Sequence, residues 1–438
     1  MASSGSTLVA AFQVGRIYNG GASAIGFATS TNAGTSWSNG FLPGITQFQG
    51  GSYLAASDPT VAFDQAHGVW IIASLAVASG TDVVVVSRSA DAHTWNNPIS
   101  VSSTADADKE WIVCDNNSAS QFFGHCYIEW DDPSKPANGV IWMSTSTDGG
   151  RTWSAAANTA DSAAGVGGQP TVGANGMVVV PLQNADGTRM LAFTSTDGGA
   201  TWTRTVTISN ITDHTVAGNL RTIALPSATA DGSGRVYVVW QDCRFRARCA
   251  SNDIVMSTSS DGSNWTAPAG IPIDATTSTV DHFIPALAAD PATSGGSAHL
   301  ALTYYFYPTA ACMSSTCQLQ VGFVSSSDGG NTWSAPTSIA GPMLLAWLPN
   351  TSSGVMVGDY IATSYANGNP FGVFAVAQAN TGGGFHEAIF TTTNALPQTA
   401  RSMHAAMRAD SAVTRRSDHP PRKFYDLDHE HPIPRRRK

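Results

Sequence analysis

Few side chains in this sequence can move protons or grip anions, and they recur at comparable places. The first 400 residues contain only three glutamates, Glu110, Glu129 and Glu387. Glu110 stands beside Lys109 at the head of the apolar run EWIVC, where a carboxylate serves as a base or as an ion-pair partner. Glu129 ends the run CYIEW. Arg16, Arg221 and Arg244 offer planar guanidinium forks suited to a carboxylate or another anion. Asp58, Gln169, His282 and the pair Asp359–Tyr360 lie at the starts of short apolar runs; Gln13, Gln183, Gln241 with Asp242, and Tyr304 with Tyr305 lie at the ends of others. Polar groups gathered on rigid elements are what a binding pocket requires. Acidic loops such as WDDP make calcium a candidate ligand. The chain has no phosphate-cradling G-x-x-x-x-G-K-S/T, no H-E-x-x-H and no G-x-S-x-G.

These residues need a scaffold, and a repeat supplies it. The sequence reads STSTDGGRTW at 144–153, TSTDGGATW at 194–202, STSSDGSNW at 257–265 and SSSDGGNTW at 325–333, with looser copies ATSTNAGTSW at 28–37 and SRSADAHTW at 87–95. The closing tryptophans, Trp37, Trp95, Trp153, Trp202, Trp265 and Trp333, are 58, 58, 49, 63 and 68 residues apart. In each box the Asp is suited to accept backbone N–H bonds in a tight turn, the glycines to take positive φ, and the Trp to cover the turn. Before most boxes runs an apolar or alternating strand such as DVVVVSRS or GVIWMSTS, and before that two strands joined by a turn, as in PTVAFD-QAHG-VWIIASLA. Four antiparallel strands per repeat predict the blade of an all-β propeller. Six boxed units and one unboxed unit (GDYIATSYA, FGVFAVAQA, HEAIFTTT) predict seven blades, with six as the alternative. The first unit opens at its second strand, TLVAAFQ, so its innermost strand is expected from upstream or from elsewhere in the chain. The expected organisation is a disordered start at 1–6, a propeller over 7–400 and a disordered basic tail at 401–438.

Composition agrees. With 42 Gly, 22 Pro and only 12% charged residues among 438, a coiled-coil protein is excluded, and 42% hydrophobic residues exclude wholesale disorder. The tail holds ten Lys and Arg against five Asp and Glu, which leaves the other 400 residues at −14 and poorly matched to nucleic acid. No run approaches the roughly 20 apolar residues of a membrane span. The six cysteines fall in close pairs, Cys114 with Cys126, Cys243 with Cys249 and Cys312 with Cys317, which suit local disulfides in an oxidising compartment. The expectation is a secreted or extracellular monomer whose leader is not part of this chain.

The boxes resemble the Asp-box, or bacterial neuraminidase (BNR), repeat S-x-D-x-G-x-T-W of sialidases and related β-propellers, and the resemblance covers residues 7–395. It implies that the boxes are structural and lie away from the active site. It further implies a retaining sialidase chemistry: a Tyr nucleophile activated by a Glu, an Asp acid/base, and arginines clamping the sugar carboxylate. On these positions Tyr360 corresponds to the nucleophile, Glu110 to its activator and Arg16 to one clamp, with Asp58 as the third catalytic candidate. Arg221, Arg244, Gln169, His282 and Asp359 are the substrate-binding candidates. The family's opening arginine has no counterpart, since HFIPAL places Phe283 there. Three functions follow as expectations: a sialidase-like glycoside hydrolase on terminal or acidic sugars; a non-catalytic glycan- or protein-binding propeller lined by Asp58, Gln169, Tyr304 and Tyr305; and a polysaccharide lyase on uronates with a Tyr or His282 as base. A glycan or polysaccharide is the expected partner, with no organic cofactor.

Overall fold

The computed structural model describes residues 1–78, 81–101, 106–133, 139–381 and 384–398, together with the backbone of 422–426. Its secondary structure is strand throughout, apart from five 3-10 turns of three residues each. The described residues form two compact units, Met1–Asn210 with Ser259–Trp265, and Ile211–Thr258 with Thr266–Asp426.

In the first unit, one eight-stranded antiparallel sheet runs in the order Ala2–Ser4, Thr7–Arg16, Ala22–Ser30, Ala55–Asp64, Val69–Val77, Asp82–Ser89, Ile99–Ser100, with Ser38–Phe41 pairing onto Ala22–Ser30. Two separate blades follow. One is ordered Ala157–Asn158, Val140–Ser146, Cys126–Asp132, Asp108–Cys114. The other is built on Val178–Asn184 and Arg189–Ser195, edged by Val206–Asn210 on one side and by Gly165–Val166 and Thr171–Val172 on the other. The middle strands read as almost unbroken apolar runs because both of their faces are buried, as in VWIIASLAV at Val69–Val77.

The second unit holds three four-stranded blades: Ser227–Ala230, Val236–Asp242, Asp253–Ser259 and Ala269–Gly270; Asp281–Ala289, Leu300–Tyr307, Gln318–Ser326 and Thr337–Leu344; and Ala362–Ala366, Asn369–Thr381, Gly384–Thr391 and Arg422–Asp426. Its core joins Phe283, Tyr305, Tyr307, Leu319, Phe323, Met343 and Phe374. Burying each such side chain stabilises by roughly 1.5–3 kcal/mol.

The antiparallel four-stranded blade of a β-propeller is thus present, but its count is corrected. Five blades stand as separate sheets, neither seven nor six. The first two boxed repeats are fused into the eight-stranded sheet, where Ala22 pairs with Ala56. Two further expectations change. Residues 1–6 are not disordered: Ala2–Ser4 pairs with Thr7–Val9 and supplies the strand the first unit was expected to lack. In the tail, Arg422–Asp426 pairs with Ala388–Thr391 as the outer strand of the last blade; the rest of 401–438 lies outside the described residues. All three cysteine pairs form disulfides, and Cys114 and Cys126 face each other across adjacent strands. No helix among the described residues is long and apolar enough to cross a membrane.

Candidate functional site

The boxes spend their polar atoms on themselves. Asp148 accepts the backbone N–H of Arg151 and of Thr152, each at 2.9 Å, and the Thr152 hydroxyl at 2.7 Å. Partial burial would raise its carboxyl, but these bonds outweigh it and hold it at about 2. Asp197 and Asp328 repeat the pattern with Thr201 and Thr332. Trp37, Trp265 and Trp333 each donate Nε1–H to the carbonyl of Gly34, Gly262 or Gly330 three residues before. A carboxylate saturated by its own turn has no lone pair left for a substrate.

A different chemistry gathers in the first unit. Asp58 and Lys109 both take positive φ, 45° and 52°, on strands whose pairing slips. Such β-bulges re-aim side chains out of the ladder and are frequent beside functional sites. Asp58 Oδ1 accepts from Ser57 Oγ at 2.7 Å and from Gln13 Nε2 at 3.2 Å, and Lys109 Nζ stands 4.0 Å from Asp58 Oδ2. Asp131, on the neighbouring strand, pairs with Asp108 in the ladder and accepts the Gly167 N–H at 3.2 Å. Glu110 and Glu129 are buried, and neither carboxyl has a well-formed hydrogen bond. Gly168 closes over Glu129: a Cβ at 168 would stand 2.4 Å from Glu129 Cδ. Burial first, then Asp58, drives Glu110 well above the usual carboxylate range; burial first, then Asp131, does the same to Glu129. Asp131 is raised too, by burial and then by Asp108, with Lys109 pulling the other way. Buried carboxyls held above the usual carboxylate range are suited to general acid–base work on an uncharged oxygen.

In the second unit, Arg221 grips Asp359 through two parallel bonds of 2.8 and 2.7 Å, and Arg244 grips Asp242 through bonds of 2.9 and 2.6 Å. Both predicted clamps therefore already hold a protein carboxylate. Tyr360 follows Asp359 just before the strand Ala362–Ala366, with its hydroxyl oxygen buried. His282 is buried, stacks edge-on against Tyr304 at 5.5 Å and places Nδ1 3.2 Å from the Asn252 carbonyl. Burial lowers its pKa, with Asp274 opposing.

The predicted residues thus divide. Asp58, Glu110, Arg16 and Gln169 belong to the first unit, and Arg221, Arg244, His282, Asp359 and Tyr360 to the second. The structure joins Asp58 with Lys109, the neighbour of Glu110, and Arg221 with Asp359. Arg16 ends the strand Thr7–Arg16, and the Gln169 N–H bonds the Pro181 carbonyl at 3.0 Å. Tyr304 and Tyr305 are core residues, not pocket lining; the Tyr305 hydroxyl donates to the Ala375 carbonyl at 2.8 Å. Sequence reasoning missed Arg246, Asp274, Asp213, His214 and Asp281. Arg246 is buried and donates to Asp253 at 2.9 and 2.5 Å, to Asp274 at 2.5 Å and to the carbonyls of Ala275 and Ser278. Asp253, Asp274 and His282 are the one group among the described residues with three metal-type ligand atoms within 4.8 Å of one another. The Arg246 guanidinium pairs with both Asp253 and Asp274. Asp131 and Asp132 of the WDDP loop belong to no such group among the described residues.

Comparison with known proteins agrees with the repeat. The BNR repeat-like domain family matches residues 78–288. No curated protein matches the chain. Among solved structures, a polysaccharide lyase of a new family, an ulvan lyase, is similar in fold at TM-score 0.50 and 10% identity, covering 89% of this chain and 88% of that one. The Hadza microbial sialidase aligns at TM-score 0.48 and 17% identity over 74% of this chain, which spans 63% of the sialidase's length. A lectin of Aleuria aurantia in complex with α-methyl-L-fucoside aligns at TM-score 0.40 and 12% identity, covering 76% and 91%. The four-stranded antiparallel blades closed by Asp-box turns agree with the similarity of residues 78–288 to the BNR repeat-like domain family.

Proposed function

We propose that this protein is a carbohydrate-active enzyme, a sialidase-like glycoside hydrolase on terminal or acidic sugars, in which Glu110 is the proton-handling carboxyl. The observation that carries the reading is Glu110 itself: a buried carboxyl without a well-formed hydrogen bond, raised by burial and by Asp58. Protonated, it gives a proton to a leaving glycosidic oxygen; once ionised, it takes one from an attacking group. Asp58, fixed by Ser57, Gln13 and Lys109, supplies the negative charge that stabilises a sugar cation. The three disulfides fit an extracellular setting.

A second reading is favoured by one observation. Asp359 and Asp242 already occupy the forks of Arg221 and Arg244, so a sugar carboxylate must compete for them. A propeller that binds glycans without cleaving them fits that arrangement. One set of assays separates the readings: a fluorogenic sialoside, a panel of nitrophenyl glycosides and a uronate polysaccharide. Turnover lost by at least a hundredfold in Glu110→Gln supports the hydrolase. Turnover that survives Glu110→Gln removes Glu110 from the chemistry. Product absorbing in the ultraviolet identifies a lyase. No turnover of any substrate, with saturable glycan binding, leaves the binding propeller.

A further inference from the structure

Glu110 and Glu129 stand on paired antiparallel strands of one blade, Asp108–Cys114 and Cys126–Asp132. They are 1% and 0% exposed, and none of their four carboxyl oxygens has a well-formed hydrogen bond. Buried polar groups are nearly always paired, and an unpaired one costs its full desolvation, so these oxygens call for a partner from outside the chain. Asp58 and Asp108 are partly exposed and form the solvent edge of the cluster. Asp131 faces Asp108 across the ladder, and Asp108 Oδ1 accepts the Lys109 N–H at 3.0 Å.

The neighbours of these carboxyls are mostly other carboxyls. Burial acts first on Glu110 and Glu129. After it come Asp58, Asp108 and Glu129 on Glu110, and Asp131 and Asp108 on Glu129, each favouring the protonated form. Burial and then Asp108 act the same way on Asp131, where Lys109 is the opposing cation. The Lys109 ammonium is itself engaged, with Nζ 4.0 Å from Asp58 Oδ2. Arg16, the predicted clamp of the first unit, is not among the leading charges on Glu110, Glu129 or Asp131. Arg221 and Arg244 belong to the second unit, and each holds an aspartate in its fork.

We propose, on the hydrolase reading above, that the sugar whose glycosidic bond Glu110 serves is terminal and uncharged, held through its hydroxyls, and that acidic sugars are excluded. A hydroxyl donates to an ionised carboxyl and accepts from a protonated one, so it satisfies Glu110 in either state. A sugar carboxylate only accepts. It bonds a protonated carboxyl and meets like charge at every ionised one, and that repulsion is stronger in a desolvated site than in water. A cationic amino sugar has to compete with Lys109 for Asp58. Like charges a few ångströms apart, at an effective dielectric constant of about 20, are worth roughly tenfold or more in kcat/KM.

The test is kcat/KM on the full chain for matched nitrophenyl glycosides that differ only at C6: glucoside against glucuronide, and galactoside against galacturonide. A nitrophenyl glucosaminide and a fluorogenic sialoside complete the set. Wild type, Glu110→Gln and Asp108→Asn are compared, and circular dichroism checks folding. The expected result is a neutral glycoside turned over at least tenfold faster than any uronide, the sialoside or the glucosaminide, with that turnover lost at least a hundredfold in Glu110→Gln. Asp108 acts on Glu110, Glu129 and Asp131 alike, and asparagine keeps an acceptor for the Lys109 N–H. Asp108→Asn should therefore lower the inhibition constant of the matched uronic acid at least threefold relative to the neutral sugar. Turnover of a charged glycoside as fast as of any neutral one, yet lost in Glu110→Gln, overturns the inference and leaves the role of Glu110 standing. A uronic acid whose relative inhibition constant does not move in folded Asp108→Asn overturns it as well. Turnover indifferent to Glu110→Gln, or no turnover of any glycoside, overturns both. The wild-type comparison decides the matter even if a variant does not fold.

Discussion

Replacing Asp281 by Asn tests the electrostatics of the second unit with a number attached. Asp281 is fully buried, and burial, ahead of every other influence, moves its carboxyl from 3.8 to about 6. Because this pKa is raised in the folded protein, the native state holds more protons than the unfolded chain between pH 4 and 6. Stability therefore falls as pH rises through that window. Roughly two pH units at 1.36 kcal/mol each put the loss on the order of 3 kcal/mol, complete above pH 6 and absent below pH 4. Asparagine keeps the acceptor for the Asn252 N–H but cannot ionise. It leaves an amide with no partner, at a cost that does not vary with pH. The difference in unfolding free energy, variant minus wild type, should accordingly rise by about 2–3 kcal/mol between pH 4 and pH 7.5. Urea titrations followed by tryptophan fluorescence, disulfides intact, measure it. Parallel pH profiles, or a difference that grows towards acid, would refute the claim that Asp281 is held above its ordinary pKa.

Two further substitutions probe charge and turns. Arg246→Ala strips the counter-ion from Asp253 and Asp274 and should cost about 3–5 kcal/mol. Zinc should recover part of that loss in the variant and leave the wild-type melting temperature unmoved, because Asp253, Asp274 and His282 then have a vacancy between them. Asp148→Ala removes the acceptor for Arg151 N–H, Thr152 N–H and the Thr152 hydroxyl and should cost about 1–2 kcal/mol; Asp148→Asn, which keeps one acceptor, should cost less. A melting curve of each decides.

What could be read beforehand followed from locality. The box motif is legible because the bonds from Ser146 and Asp148 that shape its turn span four residues or fewer, so Ser146, Asp148, Gly150 and Thr152 write the turn locally. The starts of the inner strands were legible for a similar reason: the X-Pro steps at Asp58 and Ile284 fall on bulged positions. The bulge at Lys109 has no proline to announce it. The sheet count was not legible, because repeats count boxes while sheets are defined by which edges bond, and the Ala22–Ala56 pairing merges two repeats. Ala2–Ser4 and Arg422–Asp426 escaped notice because three small residues and a charged pentapeptide carry no apolar alternation. Arg246 reads as one of several arginines in RFRARC; its carboxylate at Asp274 arrives from 28 residues away.

The Cys243–Cys249 disulfide closes a six-residue span that holds both Arg244 and Arg246 and ends on the carbonyl that steadies His214. One covalent clasp thus governs the counter-ions of Asp242, Asp253 and Asp274 at once. Chain made in a reducing cell interior would carry this corner as an unclasped loop and three poorly neutralised acids, and would acquire its working charge balance only on reaching an environment that oxidises thiols.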